Sequence, residues 1–153
     1  MRRFLFVAAV LLSVSLLPGA PAHGREAAAA EPGQVALDFF NAYVAVFQQP
    51  GGDTMTFLQG SPVVTERFKQ ALEKLYSEAR EKDPELGYGA DAVIGGQDSP
   101  DRFGVKSSKV DGDRARVVLI GVEPVNFPME VKVDLVREDG RWLIDASGDL
   151  IED

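Results

Sequence analysis

The chain has 153 residues, 24 acidic against 16 basic side chains, and no cysteine. This negative charge argues against binding to nucleic acid or to an anionic membrane surface, because both depend on basic patches. The absence of cysteine excludes disulfides, thiolate metal sites and thiol catalysis.

The first 22 residues have the pattern of a secretory signal peptide. Arg2 and Arg3 precede an almost unbroken apolar run over residues 4–17, and small residues follow at positions 20 and 22. Because the run is shorter than the about 20 residues that cross a bilayer, the pattern favours a cleaved signal over a membrane anchor. We therefore expect cleavage after Ala22, a periplasmic or secreted location, and no membrane insertion of the mature chain.

Residues 23–33 are rich in alanine and end in a Pro-Gly pair, which predicts a flexible leader before a single domain over residues 34–153. The only histidine, His23, lies in this leader and cannot be held in a rigid site. A Ser-His-Asp triad and a histidine-ligated zinc or iron site are therefore excluded. We expect neither a metal site nor a cofactor.

Two main helices are predicted before residue 84. The first carries an apolar residue at every fourth position, at Val35, Phe39, Tyr43 and Phe47. A short helical turn is predicted over residues 53–59, with Asp53 as its cap. Ser61 followed by Pro62 predicts the start of the long second helix, with Ser61 as the N-cap. An Asp-Pro pair at 83–84 ends it.

Four strands are predicted after the helices, near residues 103–110, 115–122, 129–136 and 142–146. Asp111-Gly112 and Asp139-Gly140 have the composition of hairpin turns in which both central residues take positive φ. Helices followed by hairpin-linked strands predict an α+β fold, with two N-terminal helices packed on one face of a four-stranded antiparallel meander.

The last hairpin predicts which residues face the core. A two-residue loop at 139–140 places one apolar set toward the helices: Val131, Val133, Leu135, Trp142, Ile144 and Ala146. The other face then carries Lys132, Asp134, Asp145 and Ser147. This register opposes Asp134 and Asp145, which would raise one carboxyl pKa or attract a cation, unless both are exposed and screened.

A resemblance to a known family rests on three short motifs. They are Gln-Asp-x-Pro over residues 97–100, Val-Asp-Gly-Asp-x-Ala over 110–115, and Glu-Asp-Gly-x-Trp over 138–142. Together with the two helices, they make residues 35–151 resemble the exported bacterial family known as domain of unknown function 3828. Its layout is similar to the cone-shaped nuclear-transport-factor-2-like folds. The resemblance implies a cone-like fold. It supplies no catalytic residue, because the family has no assigned activity, and the wider superfamily includes both enzymes and binding modules.

Five residues are candidates for ligand binding. Four lie in the segment rich in Gly and Asp over residues 88–101, namely Asp91, Gln97, Asp98 and Asp101. This segment suggests an oxygen-rich cation site or a partner-recognition loop, and its alternative is ordinary turn chemistry, with Asp91 as a cap. The fifth is Tyr43, which lies where related cone enzymes have an Asp and Tyr pocket. Its alternative is a core residue with a satisfied hydroxyl.

The sequence favours a non-enzymatic binding module that recognises a protein or a small ligand through a groove between helices and sheet. One alternative is a small-molecule hydrolase, isomerase or dehydratase of the cone fold that uses Asp and Tyr. A second alternative is an acidic inhibitor or immunity-type protein, whose surface neutralises a basic toxin. An enclosed pocket holding a carboxylate favours the enzyme, whereas a filled core with an acidic patch favours the protein partner.

Overall fold

The computed structural model describes residues 30–123 and 129–151, and it shows an α+β fold. The helices are α1 (Pro32–Phe47), α2 (Thr54–Gln59) and α3 (Glu66–Lys82). The strands are β1 (Arg102–Asp111), β2 (Arg114–Glu123), β3 (Glu130–Glu138) and β4 (Arg141–Ser147), and a 3₁₀ turn follows at Gly148–Leu150. The strands form one antiparallel sheet in the order β1-β2-β3-β4. The predicted signal peptide and most of the leader lie outside the described residues.

Helix α1 begins at Pro32, two residues before the predicted domain start. Proline fits the first turn of a helix because its missing N–H has no intrahelical partner there, so the pair at 32–33 begins the helix. The predicted apolar stripe is confirmed at Phe39, which is buried together with Phe40. The Phe40 ring meets the Phe103 ring of β1 edge to face, with centroids 5.9 Å apart. No helix in the described part of the chain is long and apolar enough to cross a membrane.

The predicted start of the long helix at Ser61 is wrong, because α3 begins after Thr65. Residues 63–65 instead run beside β4. The Thr65 N–H donates to the Ile144 carbonyl (2.9 Å), and the Ile144 N–H donates to the Val63 carbonyl (2.8 Å). The free edge of β4 thus holds this segment extended, and the Thr65 hydroxyl accepts the Phe68 N–H at 3.2 Å as the actual cap.

We expect Thr65→Ala to lower the free energy of unfolding by about 1–2 kcal/mol, because it removes the α3 cap. Ser61→Ala serves as the matched control. The Ser61 hydroxyl only accepts a 3.4 Å hydrogen bond from the Val63 N–H, so its loss should cost no more than about 0.5 kcal/mol. Urea denaturation of both variants tests this order, and a larger loss for Ser61→Ala would place the cap at Ser61 after all.

The two hairpin turns differ. Asp139 (φ 48°) and Gly140 (φ 76°) both take positive φ, which confirms the predicted turn between β3 and β4. Between β1 and β2 the turn is centred on Gly112 and Asp113, one residue later than predicted. Only Gly112 has positive φ there (58°), so the turn needs glycine at its first central position alone. The prediction of positive φ at both central residues was wrong for this turn.

The predicted opposition of Asp134 and Asp145 is also wrong. The register is as predicted from the turn to Leu135↔Ile144, but a bulge then pairs Asp134 with Ala146. The extra residue turns Ala146 outward to a half-buried position and Ser147 into the core, opposite to the prediction. The two carboxylates are therefore not directly opposed.

Each of these aspartates has an arginine partner of its own. Asp134 accepts two hydrogen bonds from Arg116 of β2, at 2.7 and 2.8 Å. Asp145 is buried, accepts the Thr65 hydroxyl at 2.8 Å, and forms an ion pair with Arg67 in the first turn of α3. The bulge thus brings a carboxylate to the positive end of α3, where the helix dipole favours negative charge.

Trp142 is buried in the core, as predicted, with 6% of its surface exposed. The guanidinium carbon of Arg137, its partner across the hairpin, lies 5.3 Å from the centre of the indole ring. The core lies between the inner sheet face and the helices. Its largest side chains with almost no exposure are Tyr43, Phe40, Phe68, Phe103, Leu58, Leu72, Ile94, Leu119, Leu135 and Ile144.

Candidate functional site

The segment between α3 and β1, residues 83–101, is here called the acidic loop. It starts with a turn in which the Asp83 carboxylate accepts the N–H groups of Glu85 (3.1 Å) and Leu86 (3.0 Å). Later in the loop the Gln97 amide donates to the Gly89 carbonyl at 2.9 Å. The side-chain bonds of Asp83 and Gln97 therefore fix the shape of a segment that has no helix or strand of its own.

The buried part of the acidic loop is fastened to the end of the sheet. The Ser147 hydroxyl donates to the Val93 carbonyl, and the Asp149 N–H donates to the Ala92 carbonyl, both at 2.9 Å. Between them, Gly148 lies so close that an added Cβ would be 2.3 Å from the Ala92 carbonyl oxygen. The loop is thus set on a rigid support, which is the usual arrangement for recognition loops.

Tyr43 and Asp91, two of the predicted site residues, are in direct contact. The Tyr43 hydroxyl donates to the Asp91 carboxylate at 2.6 Å. The other carboxylate oxygen accepts the N–H groups of Val93 (2.9 Å) and Ile94 (3.3 Å). The contact joins α1 to the acidic loop across 48 residues of sequence, and Asp91 also caps the turn that follows it.

Burial governs the protonation of this pair. It raises the pKa of Asp91, against the opposing effect of the hydrogen bonds from Tyr43, Val93 and Ile94. Burial, followed by the nearby Asp91 charge, raises the pKa of Tyr43 far above its ordinary value. Tyr43 is 2% exposed and Asp91 is 9% exposed, so their hydrogen bond lies almost entirely out of contact with solvent.

Two further tyrosines join α3 to the acidic loop, and the sequence reasoning missed both. The Tyr76 hydroxyl accepts the Ala92 N–H at 3.0 Å, and burial raises the pKa of Tyr76 to about 12. The Tyr88 ring meets the Tyr76 ring edge to face, with centroids 5.7 Å apart, and its hydroxyl donates to Asp149 at 2.8 Å. The sequence does contain one signal that points to Tyr76, namely its spacing: it lies four residues after Leu72, a buried residue of α3.

Of the other predicted site residues, Gln97 lines the same surface depression as Asp91, whereas Asp98 and Asp101 do not. Asp98 is exposed. Asp101 lies at the β1 end of the loop, where its carboxylate accepts the Gln48 amide of the α1 cap at 3.2 Å. Gln97 is occupied with the loop backbone. Across residues 30–123 and 129–151, no three acidic or histidine side chains are grouped so that they could hold a metal ion.

An open groove, here called the tyrosine groove, runs between the acidic loop and helices α2 and α3. It consists of two adjoining depressions of about 600 and 730 Å³ that share Tyr76 and Arg80. Its other lining residues include Glu85, Leu86 and Tyr88 from the loop and Met55, Glu73 and Glu81 from the helices. Leu86 is an apolar side chain with 70% of its surface exposed, so the groove combines apolar and aromatic side chains with a polar lining that includes three glutamate carboxylates.

A second groove, here called the outer-sheet groove, lies over the β-hairpin ends beside α3. It has a volume of about 490 Å³. Four basic side chains and three aspartates line it: Arg67, Lys109, Arg114, Arg116, Asp111, Asp134 and Asp145. Arg67 and Arg116 already form ion pairs with Asp145 and Asp134, so much of the charge here is balanced within the chain.

Comparison with known proteins gives the fold. No family model matches the chain, and no curated protein matches it. A chain in the type VI native effector-immunity complex Tae3-Tai3 from Ralstonia pickettii is 22% identical, with a TM-score of 0.57. The match covers 80% of this chain and 97% of that one. This protein shares its fold with a component of an effector-immunity complex.

Two other solved structures have the same likeness. A chain of the selenomethionine form of the Tae3-Tai3 complex is 21% identical, with a TM-score of 0.53, covering 80% of this chain and 99% of that one. A protein of unknown function from Bacteroides thetaiotaomicron VPI-5482 is 19% identical, with a TM-score of 0.53, covering 76% and 87%. None of these tests the resemblance to the family of unknown function, which stays a prediction.

Proposed function

We propose that this protein is an immunity-type binding module, which binds a protein effector and blocks it in the periplasm or outside the cell. The observation that carries the proposal is the shared fold, which extends over 97% of a chain from an effector-immunity complex. A match interrupted by a long insertion, or one over only part of the related chain, would be compatible with a different arrangement of helices and strands. Here the likeness covers nearly the whole of the related chain.

The filled core supports a protein partner. The interface between helices and sheet, where a small ligand would lie in a cone fold, is occupied by Phe40, Phe68 and Ile144, all 1% exposed or less. The tyrosine groove and the outer-sheet groove both lie outside this interface, on the surface. A surface groove suits a protein segment, because most small-molecule sites enclose the greater part of their ligand.

The enzyme alternative has one observation in its favour, the contact between Tyr43 and Asp91. An acid–base pair must reach a substrate, however, and these residues are 2% and 9% exposed. The Asp91 carboxylate also has three donors of its own within the fold. The pair therefore supports the architecture of the loop and does not favour catalysis.

A growth-protection assay tests the proposal. Type VI effectors from the producing bacterium and its neighbours are each exported to the periplasm of a laboratory strain, with or without this chain. We expect the full chain to restore growth against one effector. A variant lacking residues 2–22 is the matched control and should give no protection, since it stays in the cytoplasm. Failure against every effector would refute the proposal, and protection without residues 2–22 would refute the location.

A further inference from the structure

We infer that the effector is recognised at the tyrosine groove, and that the segment bound there is basic, with a lysine or arginine over the rings of Tyr76 and Tyr88. This inference rests on the proposed function and adds the surface and the chemistry of the partner. Three observations carry it: the distribution of charge along the chain, the unpaired carboxylates of the groove, and its exposed apolar side chain.

Negative charge is concentrated in the helices and the acidic loop. Residues 31–101 contain twelve acidic and five basic side chains, whereas residues 102–151 contain nine and eight. The part of the chain that forms the tyrosine groove therefore has a net charge of −7, and the sheet has a net charge of −1. A basic partner is attracted to the former, and such complementarity accelerates association and selects the partner.

The carboxylates of the tyrosine groove are available to a partner. Glu73, Glu81 and Glu85 line it, and in the part of the chain that the structure describes none of the three is in an ion pair. Arg80 is the one cation among the groove's lining residues. The groove thus has an excess of negative charge, and a basic segment can pair with it without breaking an existing bridge.

The groove also offers apolar and aromatic contacts to a protein partner. Leu86 projects at its rim with 70% of its surface exposed. The Tyr76 and Tyr88 rings lie edge to face beside it, and Tyr88 is held in place by its hydrogen bond to Asp149. Aromatic and apolar groups surrounded by polar ones are typical of interface hot spots, and ring faces bind ammonium and guanidinium groups.

The outer-sheet groove is the competing surface. Two of its three aspartates, Asp134 and Asp145, accept hydrogen bonds from Arg116 and Arg67, so a basic partner would have to displace those arginines. An acidic partner would have to compete with the same aspartates. The tyrosine groove imposes neither cost, which is why we place the effector there.

Binding of the protected effector to purified variants tests the inference by interferometry at about 50 and about 300 mM NaCl. We expect the double variant Glu81→Lys/Glu85→Lys to bind at least about tenfold more weakly at low salt, with a smaller difference at high salt because screening weakens charge attraction. Leu86→Asp should weaken binding by about tenfold or more at both salt concentrations. All three side chains are exposed, so circular dichroism should show unchanged melting.

Glu138→Lys is the matched control. It reverses an exposed charge at the end of β3 that lines neither part of the tyrosine groove. It should bind as the wild-type chain does. Wild-type affinity in the groove variants, with weakened binding in Lys109→Glu or Arg114→Glu, would overturn the inference and leave the proposed function standing. If the wild-type chain binds no effector, the proposed function fails and the inference fails with it.

Discussion

Replacing Trp142 with alanine is expected to lower the free energy of unfolding by about 3–5 kcal/mol, the usual cost of truncating a large core residue. The side chain is 6% exposed and lies on the inner sheet face with Leu135 and Ile144. The substitution leaves a cavity in the core and removes the ring that Arg137 covers. Because Trp142 is the chain's single tryptophan, urea unfolding should be followed by circular dichroism.

Leu143→Ala is the matched control for Trp142→Ala. Leu143 is the next residue of β4 and lies half-buried on the outer sheet face. Its truncation should cost about 1 kcal/mol, since less apolar area is lost there. A red-shifted, freely quenched tryptophan in the native wild-type chain, together with equal losses for both variants, would contradict the register of the last hairpin.

Asp91→Ala is expected to cost about 2–4 kcal/mol, because it leaves three buried donors without an acceptor. They are the Tyr43 hydroxyl and the N–H groups of Val93 and Ile94. Asp91→Asn should cost only about 1 kcal/mol, since its amide oxygen accepts both N–H groups and its nitrogen can donate to the Tyr43 oxygen. Asp98→Ala, at an exposed position of the same loop, should change stability by no more than about 0.5 kcal/mol. Equal effects at positions 91 and 98 would contradict the structural role of Asp91.

The pH dependence of stability tests the effect of the Asp91 charge, because Asp91→Asn keeps the shape of the side chain and removes its charge. Burial raises the pKa of Asp91 above its unfolded value of about 3.9, so between those values the folded chain binds more protons than the unfolded one. The contribution of Asp91 is therefore greatest at acid pH and declines as pH rises through the folded pKa. The free energy of unfolding of wild type minus that of Asp91→Asn should fall above about pH 4. A rising difference would show that hydrogen bonding outweighs burial.

Local pattern was enough to predict the elements of this fold. Apolar residues at every fourth position predicted α1. The alternation of apolar and polar residues on either side of an Asp-Gly turn predicted the last hairpin and the burial of Trp142. These features depend on residues close in sequence, whose periodicity decides which face is apolar. The same reasoning selected Tyr43 and Asp91 separately, but their hydrogen bond spans 48 residues and has no local signature.

The turn between β1 and β2 is a local error, whereas the other errors involve contacts between distant segments. Ser61-Pro62 is a plausible helix start on its own, yet the hydrogen bonds of Ile144 hold the following residues extended and move the cap to Thr65. The bulge at Asp145 arises with its contacts to Thr65 and Arg67, about 80 residues away. A prediction based on strict alternation along β4 could not show that the Asp145 carboxylate would lie at the start of α3. The sequence predicted a candidate site in the loop, and Asp91 and Gln97 do line the tyrosine groove, but the contribution of α3 to that groove was missed for the same reason.

The immunity proposal is tested most directly by titrating the purified mature chain against the effector whose toxicity it suppresses, with calorimetry and the effector's own activity measured together. We expect submicromolar binding, as for stable protein complexes of standard interface size, and complete loss of effector activity at saturation. Full effector activity in the presence of excess chain would contradict the proposal. So would suppression that requires a reaction catalysed by the chain and is abolished in Asp91→Asn.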